Sequence, residues 1–188
     1  ALTGCGPALL AGVTSAGVAS QQERGAVSAA SDIEINTRLD AALLRADARK
    51  YAGLSTDVSE GRVTLFGALN DPVDAVRAEA IAWSVPGVSS VSNEIETTGA
   101  RSAAHILKDV RTANTARLQL LNNTSLGSVN YSITVINDTL HLTGIAESTE
   151  ELQQVTTLLR NVNGVERVVS HALLVDDPRR RTTAAPEA

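Results

Sequence analysis

Three histidines and one cysteine are the side chains of this sequence best suited to chemistry. Imidazole nitrogens and thiolates bind transition metals, and a thiolate is also a nucleophile. His105, His141 and His171 fall on one predicted helix and two predicted strands, without a ligand spacing such as H-x₃-H. The single cysteine, Cys5, excludes a thiolate cluster. The sequence therefore predicts no metal site and no cofactor.

The acidic residues and the glycines also form no catalytic pattern. Glu150 and Glu151 begin a predicted helix, where the helix dipole favours carboxylates without any acid–base role. P-loop, G-x-S-x-G and dinucleotide-binding glycine motifs are absent from the sequence. The formal net charge of −5 argues against nucleic acid, because phosphate contacts supply most of that affinity. We predict that the chain is not an enzyme and binds no nucleic acid.

A unit of strand, helix and strand occurs twice and must position the remaining candidate residues. The first copy contains Val63–Gly67 and Val85–Val88, and the second contains Leu140–Gly144 and Val162–Val165. The corresponding glycines are 77 positions apart in both pairs, with no gap. An internal repeat of this length indicates two similar structural units. Each copy is close to the smallest size that forms a core alone, so we expect the copies to pack together.

Each copy predicts the order α-β-β-α-β, which is an α+β fold with a three-stranded mixed sheet and two helices. In the first copy, the S-x-x-E pattern at Ser31–Glu34 predicts a helix start, and Asp71 with Pro72 predicts another. In the second, Ser102 to about Asn122 is a predicted helix with Ile106, Val110, Ala113 and Leu121 on one face. The S-x-x-E pattern at Ser148–Glu151 predicts the start of the other helix of this copy. Trp83 is predicted to be buried in the core or between the domains.

The two ends of the chain predict an anchor and a tail. Leu2-Thr3-Gly4-Cys5 is similar to the lipobox of bacterial lipoproteins, in which the cysteine becomes acylated after cleavage. On this interpretation residues 1–4 are a signal-peptide remnant, Cys5 is the lipidation site and residues 5–30 are a flexible tether. A buried thiol is the alternative. Residues 176–188 are predicted to form a disordered tail.

The glycine-marked repeat resembles the BON domain, over residues 31–97 and 102–175. Two such domains behind a lipobox resemble the dual-BON outer-membrane lipoproteins. The resemblance implies an outer-membrane lipoprotein that faces the periplasm of a Gram-negative bacterium. It also implies binding to anionic phospholipid and support of cell-envelope integrity. The alternative is a protein-interaction module that docks on an envelope assembly machine and uses the anchor only for localisation.

The resemblance places the lipid contact on the first helix of the second domain. The expected lipid-binding residues are Arg101, His105, Lys108, Val110 and Arg111. The four basic side chains among them follow helical spacing and would form a stripe, each contributing about 1 kcal/mol near an anionic surface. That helix contains no aromatic residue to insert into lipid, so the expected contact is electrostatic. The alternative interpretation of the stripe is an ordinary solvated helix face.

Overall fold

The computed structural model describes residues 26–97, 101–123, 126 and 130–181. They form two domains with the predicted order α-β-β-α-β. The elements of the first domain are α1 (Ala26–Tyr51), β1 (Ser55–Ser59), β2 (Arg62–Ala68), α2 (Pro72–Trp83) and β3 (Ser90–Glu96). Those of the second are α3 (Ala103–Leu121), β4 (Tyr131–Ile136), β5 (Thr139–Ala146), α4 (Thr149–Arg160), β6 (Arg167–Ser170) and β7 (Leu173–Leu174). A short helix, α5 (Pro178–Arg181), follows.

Both sheets have the same mixed topology. In the first, β2 is central and pairs antiparallel with β1 and parallel with β3. In the second, β5 is central and pairs antiparallel with β4 and parallel with β6. The additional strand β7 also pairs with β5. The tight turns before the central strands have positive φ at Glu60 and Gly61 and at Asn137 and Asp138. These values fit the two-residue turns that the right-handed twist of a hairpin favours.

The sequence correctly located the caps of α2 and α4. The Asp71 carboxylate accepts a hydrogen bond from the Val73 amide at 2.8 Å, and the Ser148 hydroxyl accepts one from the Glu151 amide at 3.1 Å. The predicted start of α1 was wrong, because this helix already begins at Ala26. Ser31 therefore lies inside the helix, and residues 26–30 do not belong to a flexible tether.

Each domain has its own aliphatic core between its helices and one face of its sheet. Leu39, Leu65 and Ala78 are fully buried in the first core, and Leu140, Leu142 and Val155 are fully buried in the second. Small residues on the buried face of α2, Ala75, Ala78 and Ala82, allow that helix to approach its sheet closely. Burial of these aliphatic side chains supplies the main driving force for folding each unit.

The second faces of the two sheets pack against each other. Alternate residues of the central strands point away from their own cores, yet Phe66, His141 and Thr143 are all buried. The Phe66 ring lies 4.9 Å from the His141 ring, measured between centroids. Both faces of β2 and β5 are therefore covered, one by helices and the other by the neighbouring domain. This contact confirms that the copies pack together.

The segment after the second domain is more ordered than predicted. Residues 178–181 form α5, and Arg180 forms an ion pair with Glu60 of the first domain at 2.7 Å. The predicted disordered tail is therefore wrong for residues 176–181. Residues 182–188 lie outside the described residues, as do Cys5 and the rest of residues 1–25. In the part of the chain that the structure describes, no helix is long and apolar enough to cross a membrane.

Candidate functional site

Helix α3 carries the residues that the resemblance implicated in lipid binding. It spans Ala103–Leu121, and its N-cap is Ser102, whose hydroxyl accepts a hydrogen bond from the His105 amide at 3.2 Å. The bounds agree with the sequence prediction. The face of α3 that is buried differs from the apolar face expected from the sequence. This difference changes which side chains of the helix are available for binding.

The buried face of α3 is centred on Asp109 rather than on Val110. Its buried residues are Asp109, Thr112, Ala113, Ala116 and Leu120. Of the four apolar residues predicted to share one face of this helix, Ala113 is buried, whereas Ile106, Val110 and Leu121 are exposed. The physical reason is the Asp109 carboxylate, which accepts hydrogen bonds from the amides of Asn137 and Asp138 at 3.0 and 3.2 Å. Those amides need an acceptor beneath the β4–β5 turn, and the helix is rotated to supply it.

The opposite face of α3 is apolar as well. We define the outer stripe as Leu107, Val110, Leu118 and Leu121, which follow helical spacing and are between 49% and 60% exposed. Ile106 lies beside the stripe and is 45% exposed. The exposed Asn114 lies between Val110 and Leu118 on this face. A solvent-facing helix side is normally polar, so four exposed aliphatic side chains on one side of α3 indicate a contact surface.

Most of the basic side chains predicted to form a stripe on α3 lie next to carboxylates of the second domain. Arg101 forms a hydrogen-bonded ion pair with the buried Asp109. Lys108 pairs with Asp138 at 2.8 Å, and His105 lies 3.6 Å from the same carboxylate. The hydrogen bond from Lys108 to Asp138 raises the pKa of this lysine, which stays half exposed. Only Arg111, among the basic residues predicted to bind lipid, has no ion pair within the described residues.

Two of the three histidines, which are far apart in the sequence, lie next to each other in the folded protein. His105 remains alone on α3, while His141 on β5 and His171 after β6 approach each other, with 3.4 Å between His141 Nδ1 and His171 Nε2. Glu94 of the first domain also lies next to His171, with 3.8 Å between its Oε1 and His171 Nδ1. Sequence spacing could not find this cluster, because its three residues come from three separate segments of two domains. The repeat offered a signal, since Glu94 and His171 are 77 positions apart and therefore equivalent.

The single tryptophan, Trp83, is not buried as the sequence predicted. Trp83 is 52% exposed at the end of α2, on the side of the helix that also exposes Val73 and Val76. The prediction of a core or interdomain position was wrong because Ala75, Ala78 and Ala82 form the buried face of α2. The first domain therefore also presents an apolar outer helix face.

Comparisons with known proteins agree with the two-domain architecture. The family model described as BON domain matches residues 31–99 and 108–176. An uncharacterized protein in the gshII 5′ region of Anaplasma centrale is 31% identical over 132 residues, covering 70% of this chain and 87% of that protein. Osmotically-inducible protein Y of Escherichia coli K12 is 25% identical over 139 residues, covering 73% of this chain and 69% of that protein.

A solved structure with partial likeness comes from a secretion apparatus. CdsD, a structural protein of the type III secretion system of Chlamydia trachomatis, is 11% identical and aligns with a TM-score of 0.31. The alignment covers 73% of this chain and 90% of that chain.

Proposed function

Because the chain belongs to the BON-domain family, we propose that it is a non-catalytic envelope protein that binds anionic phospholipid through the outer face of α3. The resemblance to dual-BON lipoproteins supplies the envelope setting and the expected role in envelope integrity. The outer stripe of α3 supplies the binding surface. Osmotic inducibility, which the name of the Escherichia coli relative states, is compatible with a role in the envelope.

The outer stripe is the observation that carries this proposal. Its four aliphatic side chains are about half exposed, and transferring such a side chain into an apolar phase gains about 1 kcal/mol or more. The four together can hold a helix at the boundary between headgroups and acyl chains, lying parallel to the membrane. This contact needs no aromatic residue. It therefore replaces the purely electrostatic contact expected from the sequence.

Local charge favours an anionic surface over a neutral one. Residues 101–121 contain four Arg or Lys and one Asp, which gives a formal charge of +3 in a chain whose net charge is −5. Arg101 is engaged by Asp109, and Arg117 donates hydrogen bonds to the Asn114 side chain and the Ile133 carbonyl. Arg111 and the half-exposed Lys108 are therefore the cations that can reach headgroups. Each contributes about 1 kcal/mol near an anionic surface and loses that attraction within a Debye length.

The proposal includes an acyl anchor at Cys5 and an outer-membrane location facing the periplasm. The lipobox-like Leu2-Thr3-Gly4-Cys5 supports this part, and it lies outside the described residues. Intact mass spectrometry of the protein extracted from membranes tests it. A diacylglyceryl thioether with an N-acyl chain on Cys5 is expected, and a free thiol would contradict the anchor.

Vesicle co-sedimentation of the full chain tests the lipid contact. A Cys5→Ser background removes any contribution from an acyl group. We expect phosphatidylglycerol vesicles to bind more protein than phosphatidylcholine vesicles, and binding to fall as salt rises. Val110→Asp and Leu118→Asp should each reduce binding about tenfold, because a carboxylate then faces the acyl region. Arg111→Glu should reduce it on phosphatidylglycerol only.

Val76→Asp is the matched control for these variants. Val76 is 65% exposed on α2, so its substitution adds the same charge on an apolar helix face of the other domain. Circular dichroism checks that all variants keep the fold. Equal binding to both vesicle types, or an equal loss in Val76→Asp and Val110→Asp, would contradict a specific contact through α3.

A protein-docking role is the second candidate, and the outer face of α2 favours it. Val73, Val76 and Trp83 expose apolar surface along that helix, which carries the single tryptophan of the sequence. Tryptophan is enriched at the centres of protein interfaces. If no vesicle composition binds the chain, while Trp83→Ala abolishes its cross-linking to an envelope protein in cells, docking replaces lipid binding as the function.

A further inference from the structure

The cluster of Glu94, His141 and His171 lies where the two domains meet. Glu94 is on β3 of the first domain, while the two histidines belong to the second. One potential ligand atom from each of the three residues lies within 4.8 Å of the other two. Two imidazoles and one carboxylate form a donor set that binds zinc in proteins and leaves a fourth position open.

His141 is held in a buried position where the two domains meet. Its side chain packs against the Phe66 ring, and its Nε2 atom has no hydrogen-bond partner among the described residues. Its Nδ1 atom faces His171 Nε2. The packing of the ring therefore fixes which nitrogen is directed at the second histidine.

We propose that Glu94, His141 and His171 bind a Zn²⁺-class transition metal that links the two domains. The separation of 3.4 Å between His141 Nδ1 and His171 Nε2 supports this assignment. Two nitrogens on one tetrahedral zinc, with bonds of about 2.0 to 2.1 Å, are about 3.4 Å apart. The two rings are nearly parallel, at 12°, so a rotation of the His171 ring is needed to direct both lone pairs to one point.

The carboxylate and the access route complete the site. Glu94 Oε1 lies 3.8 Å from His171 Nδ1, and one ligand atom of each of the three residues lies within 4.8 Å of the others, so a change of the Glu94 rotamer brings its carboxylate to a metal held by the histidines. A cavity of about 500 Å³ between the domains is lined by residues of both, including His171, Ser92 and Arg62. It provides an entry path for the ion and room for a water molecule in the fourth position.

The position of this cluster explains what a metal would do. Glu94 and His171 are equivalent residues of the two repeats, so the ion would connect equivalent positions of the two domains. A ligand that binds only the docked arrangement stabilises it in proportion to its concentration and affinity. Metal binding would thereby set how firmly the two domains hold together.

A second group of potential ligands, His105, Asp109 and Asp138, provides the control. Its carboxylates already accept hydrogen bonds from Arg101, from Lys108 and from the turn amides. A metal there would have to displace two cations. We therefore expect this group not to bind, and His105→Ala tests it.

Zinc titration of the untagged full chain in the Cys5→Ser background tests the proposal. Isothermal titration calorimetry should give one Zn²⁺ per chain, and Zn²⁺ should raise the thermal midpoint while EDTA reverses the rise. His171→Ala should abolish both effects, and Glu94→Gln should weaken binding roughly tenfold. His105→Ala should bind as the wild type does. His141→Ala serves as a third ligand variant if circular dichroism shows that it folds.

The proposal is overturned if the wild type takes up no Zn²⁺, or if His171→Ala binds it with unchanged affinity. Loss of binding in His105→Ala alone would move the site to α3 and would also overturn it. Because His171 is partly exposed at its side chain, its replacement by alanine leaves the cores intact and keeps the test decisive.

Discussion

Asp32 and Asp109 are equivalent residues of the two repeats, and each places a buried carboxylate beneath the turn before the central strand. Asp32 accepts hydrogen bonds from the amides of Glu60 and Gly61 at 2.8 and 2.9 Å. Asp109 does the same for Asn137 and Asp138, which lie 77 positions after Glu60 and Gly61. These aspartates are 3% and 2% exposed. The first helix of each domain is thus fixed to its hairpin by one charged side chain.

Substitution of Asp109 should strongly destabilise the second domain. Asp109→Asn removes the charge that pairs with Arg101 and places an amide donor next to turn N–H groups. We expect the free energy of unfolding to fall by about 3 kcal/mol, the range for breaking a buried ion pair. Urea unfolding followed by circular dichroism measures it. Glu150→Gln, at an exposed helix start, should change the value by less than about 0.5 kcal/mol; equal losses would contradict this role.

Glycine is required at position 144 for a steric reason. Gly144 has φ of +126°, and a Cβ atom there would lie 2.0 Å from the carbonyl oxygen of Asn130. Gly144→Ala should therefore cost about 3 kcal/mol or more, combining backbone strain and a displaced strand. Gly53→Ala is the control, because no atom lies within 4 Å of the added Cβ. Thermal midpoints of both variants test this, and a Gly144→Ala protein as stable as Gly53→Ala would be inconsistent with it.

The ion pair between Glu60 and Arg180 should make domain docking sensitive to acid. Burial alone would raise the pKa of Glu60, but hydrogen bonds from Arg180 and Arg62 outweigh it and hold this pKa below its ordinary value of 4.5. A lowered folded-state pKa contributes stability that is present above pH 4.5 and is lost as pH falls through the folded-state pKa. The stability difference between wild type and Glu60→Gln should therefore be constant near neutral pH and shrink below pH 4.5.

Urea unfolding of the wild type and of Glu60→Gln at several pH values measures the difference between their free energies of unfolding. Arg180→Ala should lower the free energy of unfolding at pH 7 by about 2 kcal/mol, as expected for a charged hydrogen bond. Arg179→Ala is the matched control, since this neighbour is 70% exposed and bonds to Asp177 in its own segment. If the wild type is still more stable than Glu60→Gln by the same amount at pH 3, the ion pair with Arg180 is not the source of that stability.

Trp83 should report a solvated environment in the native protein. It is half exposed, so its fluorescence should already be at long wavelength and should be quenched readily by acrylamide. Unfolding should then shift the emission only slightly. Trp83→Phe should change the free energy of unfolding by less than about 0.5 kcal/mol, as for other surface sites. A strongly blue-shifted native spectrum would contradict this placement.

Much of the fold could be predicted because its signals are local or repeated. The caps at Asp71 and Ser148 use donors two or three residues away, so their sequence patterns suffice. The start of α1 could not be found in this way. Asp32 has the type of a capping residue, but it serves a turn 28 residues later, and the helix continues on its N-terminal side.

The duplication, the α-β-β-α-β order, the BON-family membership and the aliphatic cores could all be recognised from the sequence. Each of these depends on periodicity or on a repeat, which the chain displays without folding. The buried face of α3 could be identified only in the folded protein, because Asp109 satisfies amides from a distant turn. The meeting of Glu94, His141 and His171 also required the fold, because two sheets must pack face to face to bring these three segments together. These long-range contacts define both the proposed lipid surface and the proposed metal site.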